Sequence, residues 1–190
     1  MALNPDPSDL TTVANLEAWM GLTNVQAPVP DQLQRLITAT SGWIQNYISR
    51  TIRNLSYNET RDGTGGTRLV LRNVPVTAVA SVVINGQTIP PSPGYGQPGY
   101  IFSETAIVLR GYTFTMDSGN VQISYTAGYA TTPGEMEQAC LELCSLRWKE
   151  RDRIGHASKT INGETVTFIV ADMPESVKTM LSQYNNVVPA

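Results

Sequence analysis

Residues Thr131–Ile154, TTPGEMEQACLELCSLRWKERDRI, spell a helix with explicit ends, and its apolar pattern decides how the rest of the chain is read. Thr132 is placed to cap it. Pro133 suits the first helical position because its missing N–H would be unpaired there, and Glu135, three residues after the cap, completes a capping box. Gly155 ends it. Met136, Ala139, Cys140 and Leu143 recur at three- and four-residue steps, with Leu141, Cys144 and Trp148 as a second apolar line. Two lines require packing on two sides, so this helix belongs in the middle of a bundle, with the helices before and after it leaning against it.

Upstream, residues 1–9 hold two prolines and few apolar side chains, which predicts a loose arm, with order beginning near Leu10. Thr11 or Thr12 caps a short helix in which Val13, Leu16 and Met20 share a side, and Gly21 closes it. After the connector Gln26–Pro30, a helical period runs through Leu33, Leu36, Ile37, Thr40, Ile44, Tyr47 and Ile48. Gln34, Thr38 and Gln45 form a polar face that should look onto water. From Tyr57 to Thr126 alternating β-branched residues and glycine-rich turns replace that period. Arg68–Leu71, Val79–Ile84, Gln87–Ile89, Ala106–Leu109 and Val121–Tyr125 read as strands, with Asn85-Gly86 as a two-residue hairpin turn and residues 90–98 as a loop. Four to six strands are expected, antiparallel because no connection is long enough for a crossover helix.

Downstream, Ser158–Val170 holds Asn162-Gly163 between alternating residues, a second hairpin. Asp172 caps a last helix with Pro174 at its first position and Val177, Met180, Leu181 and Tyr184 on one face, before a tail from Asn185 to Ala190. The expected fold is therefore α+β: a four-helix bundle with an antiparallel β insertion between helices 2 and 3 and a β-hairpin between helices 3 and 4. Its divisions are the N-terminal helices at 1–56, the insertion at 57–130, and the C-terminal helices at 131–190 with the hairpin at 158–170.

At 190 residues and 41% hydrophobic content the chain can bury a real core. With 13 Lys+Arg against 16 Asp+Glu there is no global basic field to hold nucleic acid. No apolar run approaches a membrane span, and Met1–Leu10 has neither the basic start nor the apolar core of a signal peptide, which places the chain in a cytoplasm without a membrane partner. Two cysteines make no disulfide framework.

Candidate chemistry is thin, and neither a catalytic residue nor a cofactor is expected. His156, the only histidine, follows a helix-ending glycine and belongs to no recognisable triad. Cys140 and Cys144 offer two metal ligands where zinc wants three or four, so no metal is expected. Asp62-Gly63-Thr64-Gly65-Gly66-Thr67 resembles a phosphate cradle but lacks the terminal Lys-Ser/Thr and precedes a strand, which leaves a flexible turn. The one concentrated charge feature is Arg147, Lys149, Arg151 and Arg153, with Lys159 beyond, offset by Glu150 and Asp152. Cations at a helix C-terminus complement its dipole, and they also suit an acidic partner or a passing duplex backbone. Asn162 and Gly163 at the hairpin tip join them as candidate contacts, as do Asn185, Val187 and Val188 in a tail with little reason to fold alone.

Several phrases in this order are recognisable. They are Asn58-Glu59-Thr60-Arg61-Asp62-Gly63, Leu69-Val70-Leu71-Arg72-Asn73-Val74-Pro75-Val76, Ile123-Ser124-Tyr125-Thr126-Ala127-Gly128-Tyr129, the Pro133 helix start and Met173-Pro174-Glu175-Ser176-Val177. Through them the chain resembles the head-tail connector (adaptor, or head-completion) proteins of long-tailed bacteriophages. The resemblance implies a structural virion protein, not an enzyme, that forms a dodecameric neck ring beneath the portal protein and extends the DNA channel. Its partners would be the portal, further copies of itself, a neck stopper or tail-completion protein, and the double-stranded DNA passing through. Its place would be the virion neck, assembled in the host cytoplasm. The size of the β insertion departs from the smaller, mostly helical members. Alternative readings are another neck or packaging subunit, such as a stopper or small terminase component, and a small phosphate-ligand enzyme built on Asp62–Thr67.

Overall fold

The computed structural model describes residues 4–151, 158–161, 164–167 and 173–185. In chain order the elements are α1 (Val13–Met20), α2 (Val29–Tyr47), β1 (Leu55–Gly63), β2 (Arg68–Val70), β3 (Val76–Ile84), β4 (Gln87–Ile89), β5 (Gly99–Phe102), β6 (Ala106–Arg110), β7 (Asp117–Ala127), α3 (Gly134–Glu150), β8 (Ser158–Ile161), β9 (Glu164–Thr167) and α4 (Glu175–Ser182). They fall into two compact units, one made of Met1–Arg50 with Thr132–Ala190 and the other of Thr51–Thr131.

The expected four-helix bundle does not form; the chain is a sheet-rich α+β fold. At 1.5 Å per residue, the eight-residue α1 and α4 are only about 12 Å long, too short to run beside α2 and α3 as bundle partners. They pack as two-turn braces instead. The reading of α3 as the central helix holds, because α1, α2 and α4 all contact it and its buried side chains are Met136, Ala139, Cys140, Leu141, Leu143, Cys144 and Ser145.

Helix ends follow local chemistry, with the proline-led starts of α3 and α4 each shifted by one position. Thr12 caps α1 by accepting a hydrogen bond from the Asn15 amide, and Gly21 ends it in the left-handed conformation. For α3 the capping box is absent: Pro133 itself is the cap residue, and its carbonyl accepts from the Met136 and Glu137 amides. Glu135 is thereby freed to accept from the Tyr184 hydroxyl at 2.9 Å, while Glu137 Oε1 accepts from Asn15 Nδ2 at 2.6 Å and Thr11 Oγ1 at 3.0 Å. Pro174 is likewise the cap residue of α4, and Asp172 lies outside the described residues. The hairpin pairs as expected, β8 with β9 in antiparallel register around residues 162–163, which also lie outside them.

The unit Thr51–Thr131 holds seven strands rather than four to six. One sheet has the order β1-β7-β3-β4 and the other β2-β6-β5, with antiparallel pairing throughout. Leu69, Tyr100, Ile107 and Leu109 of the second sheet share one core with Val82, Ile84, Val121, Ile123 and Tyr125 of the first, closed by Phe114. Asn85 and Gly86, both at positive φ, turn β3 into β4 as the Asn-Gly signal requires.

At the base of this unit the backbone strands lie so close that only glycine fits. Gly128 has φ +114°, and a Cβ there would stand 2.3 Å from the Arg53 carbonyl oxygen. Its amide donates to Pro75 O at 2.8 Å, and the neighbouring Tyr129 and Asn54 exchange backbone bonds with Ile52 and Tyr129. Gly128→Ala should therefore lower stability by about 3 kcal/mol or more, through a disfavoured φ plus a backbone clash. Gly42, inside α2, has nothing within 4 Å of the point a Cβ would occupy, so Gly42→Ala should respond oppositely, with a gain of about 0.5–1 kcal/mol. Chemical denaturation of the two variants checks the pair.

Candidate interaction surface

The polar face of α2 does not look onto water. Gln34 is 6% exposed, and its Nε2 donates to Asp9 Oδ2 at 2.6 Å. The same Asp9 oxygen accepts from the Asp6 amide at 2.9 Å and from Thr38 Oγ1 at 3.3 Å. Gln45 Nε2 reaches Ser8 O at 3.2 Å, and Ser41 Oγ accepts from the Leu10 amide at 3.0 Å. What read as a loose arm is a segment fitted to that face by complementary donors and acceptors. Ser41 Oγ also lies 3.6 Å from Cys140 Sγ, which is 4.0 Å from Cys144 Sγ. The neighbouring sulfur and burial push the Cys140 thiol up, so it stays protonated and packs as a small core side chain. Among the described residues no group of three His, Cys, Asp or Glu side chains is assembled that could hold a metal ion.

In the Gly-rich loop Asp62–Thr67 the three glycine amides are engaged within the fold. The Gly63 amide donates to Asn120 Oδ1 at 2.9 Å, the Gly65 amide to Phe114 O, and the Gly66 amide weakly to Thr64 Oγ1. Asp62 Oδ1 accepts from the Gly119 amide and Ser118 Oγ, and these bonds hold its carboxyl below the usual range. A phosphate cradle needs a concave set of unspent N–H groups, and the three glycine amides here already have acceptors in the fold.

A second polar cluster crosses the sheet core. The Tyr125 hydroxyl donates to Glu59 Oε1, whose other oxygen pairs with Arg61 Nη1 at 3.3 Å. Asn73 Nδ2 bonds both the hydroxyl, at 3.1 Å, and the carboxylate, at 3.3 Å. Burial, with the Glu59 hydrogen bond next, pushes the Tyr125 hydroxyl up to about 12. It is a donor near neutrality, and the cluster ties β1, β7 and the β2–β3 connection together.

The basic candidates are partly brought together. Arg147, Lys149 and Arg151 stand exposed at the end of α3. Arg147 stacks 5.2 Å from the Trp43 ring, and Arg151 4.1 Å from Trp148 while donating to Trp148 O at 3.0 Å. Guanidinium groups held over indole rings keep their charge at the surface, where arginine can meet carboxylate or phosphate. Lys159 lies on β8, and Asn185 is exposed just beyond α4. Arg153, Asn162, Gly163, Val187 and Val188 lie outside the described residues, as does His156. One exposed feature had no charge or periodicity to announce it. Tyr95, 97% exposed at the tip of the 90–98 loop, lies 5.6 Å from the Arg110 guanidinium. Among the described residues no helix is long and apolar enough to cross a membrane.

A family model described as "Head completion protein" matches residues 9–187. Among solved structures, a chain of the neck of an empty GTA particle computed with C6 symmetry is 18% identical, with TM-score 0.63 over 100% of this chain and 96% of that chain. A chain of the neck of the native GTA particle computed with C12 symmetry is 17% identical, with TM-score 0.63 over 100% and 98%. A chain of the virion of the native gene transfer agent particle is 16% identical, with TM-score 0.60 over 100% and 96%. At such identities the shared property is the fold. The comparison with curated proteins finds no match.

The sheet cluster has a pH signature. The Tyr125 hydroxyl ionises near 10 when unfolded and about 12 when folded, so its stabilisation is complete below 10 and is lost as pH rises from 10 to 12. Tyr125→Phe, which strips Glu59 and Asn73 of a partner, should cost about 1–3 kcal/mol at neutral pH. The gap between wild type and variant should then narrow through the alkaline window, as followed by urea titrations at several pH values.

Proposed function

Since the chain belongs to the head completion protein family, we propose that it is a structural subunit of a virion neck, acting through its surfaces and not as a catalyst. The match across residues 9–187 carries this reading, supported by a fold shared over the whole chain with proteins of particle necks. In the finer form of the proposal, twelve copies form an adaptor ring between the portal protein and a stopper or tail-completion protein. The twelve is taken from the C12 symmetry of one such neck. The ring lengthens the channel through which double-stranded DNA passes, and it assembles on filled heads in the host cytoplasm.

The end of α3 supplies the contact chemistry. Arg147, Lys149 and Arg151 project cations from a helix end already held by Trp43 and Trp148, and such a patch meets acidic portal surface or the DNA backbone without a prior ordering cost. The same proposal extends to Arg153, Lys159, the Asn162-Gly163 tip and the Asn185–Val188 tail on their sequence alone. Immunogold labelling of purified particles tests the location: label at the head vertex bearing the tail supports it, and absence of the chain from particles refutes it. Replacing Arg147, Lys149 and Arg151 by Gln should cost only about 1–2 kcal/mol in lost stacking and helix-end charge. Incorporation into particles should nevertheless fall about tenfold or more, by quantitative immunoblot, as expected for contact residues at a hot spot. Unchanged incorporation with reduced thermal stability would assign these charges to the helix alone.

A further inference from the structure

A ring closed by rotation needs two different patches on every subunit, one for the neighbour on each side. This chain carries an exposed aromatic loop tip with a cation beside it and a shallow, open aromatic groove that holds a carboxylate.

The tip is the 90–98 loop, PPSPGYGQP, which contains no acidic residue. Its shape is set before any partner arrives. Ser92 Oγ donates within 2.9 Å of both Gly94 O and Gln97 O, the Ser92 amide donates to Tyr100 O at 2.8 Å, and the Tyr100 amide to Pro90 O at 2.9 Å. Arg110 Nη1 donates to Gly94 O at 3.2 Å, which fixes the cation beside the Tyr95 ring. A tyrosine almost wholly in water, on a loop stiffened by proline and five hydrogen bonds, loses little further entropy on docking.

The groove lies between α1 and α3 and is lined by Asn15, Ala18, Trp19, Glu137 and Leu141. Trp19 is half exposed there. Glu137 Oε1 is held by Thr11 and Asn15, and its Oε2 takes no partner among the described residues. Among the described residues no cation lines the groove, while Glu17 on α1 and Glu135 in the first turn of α3 add negative charge on the same elements.

We infer that the occupant of this groove is a second copy of the chain: Tyr95 of one copy seats against Trp19 and Leu141 of the next, and its Arg110 pairs with Glu137 there. Tyrosine, tryptophan and arginine are the residue types that concentrate binding energy at interface centres, and the charge pair fixes the direction of the head-to-tail contact. This rests on the ring reading above.

The test uses particles made in cells that express Gly94→Cys with Ala18→Cys, which keeps Tyr95 in place since nothing lies within 4 Å of a Cβ at Gly94, oxidised with copper phenanthroline and run on a non-reducing gel. The native Cys140 and Cys144 are buried and give no background. A ladder of chain multiples from the double variant, absent from either single variant, is expected. Tyr95→Ala, which removes only an exposed side chain, should melt like wild type yet reduce tailed particles about tenfold or more. No ladder from particles that contain the double variant, or normal numbers of tailed particles with Tyr95→Ala, overturns the inference and leaves the neck role intact. Absence of the wild-type chain from purified particles overturns both.

Discussion

The structure depends on one set of backbone hydrogen bonds, those that join the chain's entry into the sheet unit to its exit. β1 and β7 pair from Leu55↔Ala127 onward, and below them Tyr129 donates to Ile52 O at 2.8 Å while Asn54 donates to Tyr129 O at 3.1 Å. Entry and exit are thus one strand spacing apart. The helical unit is built from two stretches separated by the whole sheet unit, yet the connection between them behaves as a short link. The entropic cost of bringing α2 and α3 together is met once, inside a β ladder, and does not fall on the helices. Gly128 is where this closure is tight, because a ladder that would put Arg53 O 2.3 Å from a Cβ admits no side chain there.

Within the helical unit the closing contacts are polar. Asp9, Glu135 and Glu137 each receive hydrogen bonds from residues distant in sequence, and through them α1, α4 and the segment before α1 are tied to α2 and α3. Two-turn helices bury too little apolar surface to be held by burial alone; Leu16 is the only fully buried side chain of α1, and α4 has Val177 and Leu181. Directional bonds supply the remainder and fix the register.

What the sequence disclosed follows from the range of each signal. Local chemistry was legible: the Thr12 cap, the Gly21 stop, the Asn85-Gly86 turn, the apolar lines of α3 and the basic residues at its end. Features set by distant partners were not. β1 hid because Glu59 and Arg61 turn toward its half-buried side, where Tyr125 and Asn73 satisfy the carboxylate, so its alternation carries charge where a strand usually shows valine. Gln34 looked solvated because the residue that buries it, Asp9, lies in an irregular stretch with no periodicity of its own. The bundle reading weighed helix number over helix length. Of the candidate surface, the cations could be counted in advance, but their stacking on Trp43 and Trp148 and the exposure of Tyr95 belong to the fold.

The split of the helical unit around the sheet unit imposes an order on biosynthesis. A ribosome releases α1 and α2 first, but the side chains that complete their core, Met136, Ala139, Cys140 and Leu143, are translated only after every strand of β1–β7 has emerged. The sheet unit, continuous in sequence and with a core of its own, can fold during elongation, while the first two helices wait. Closing the β1–β7 ladder is then the event that carries the nascent chain's two separated helical segments to adjacent starting points. Until α3 has emerged, the apolar stripe of α2 has no helix to pack against.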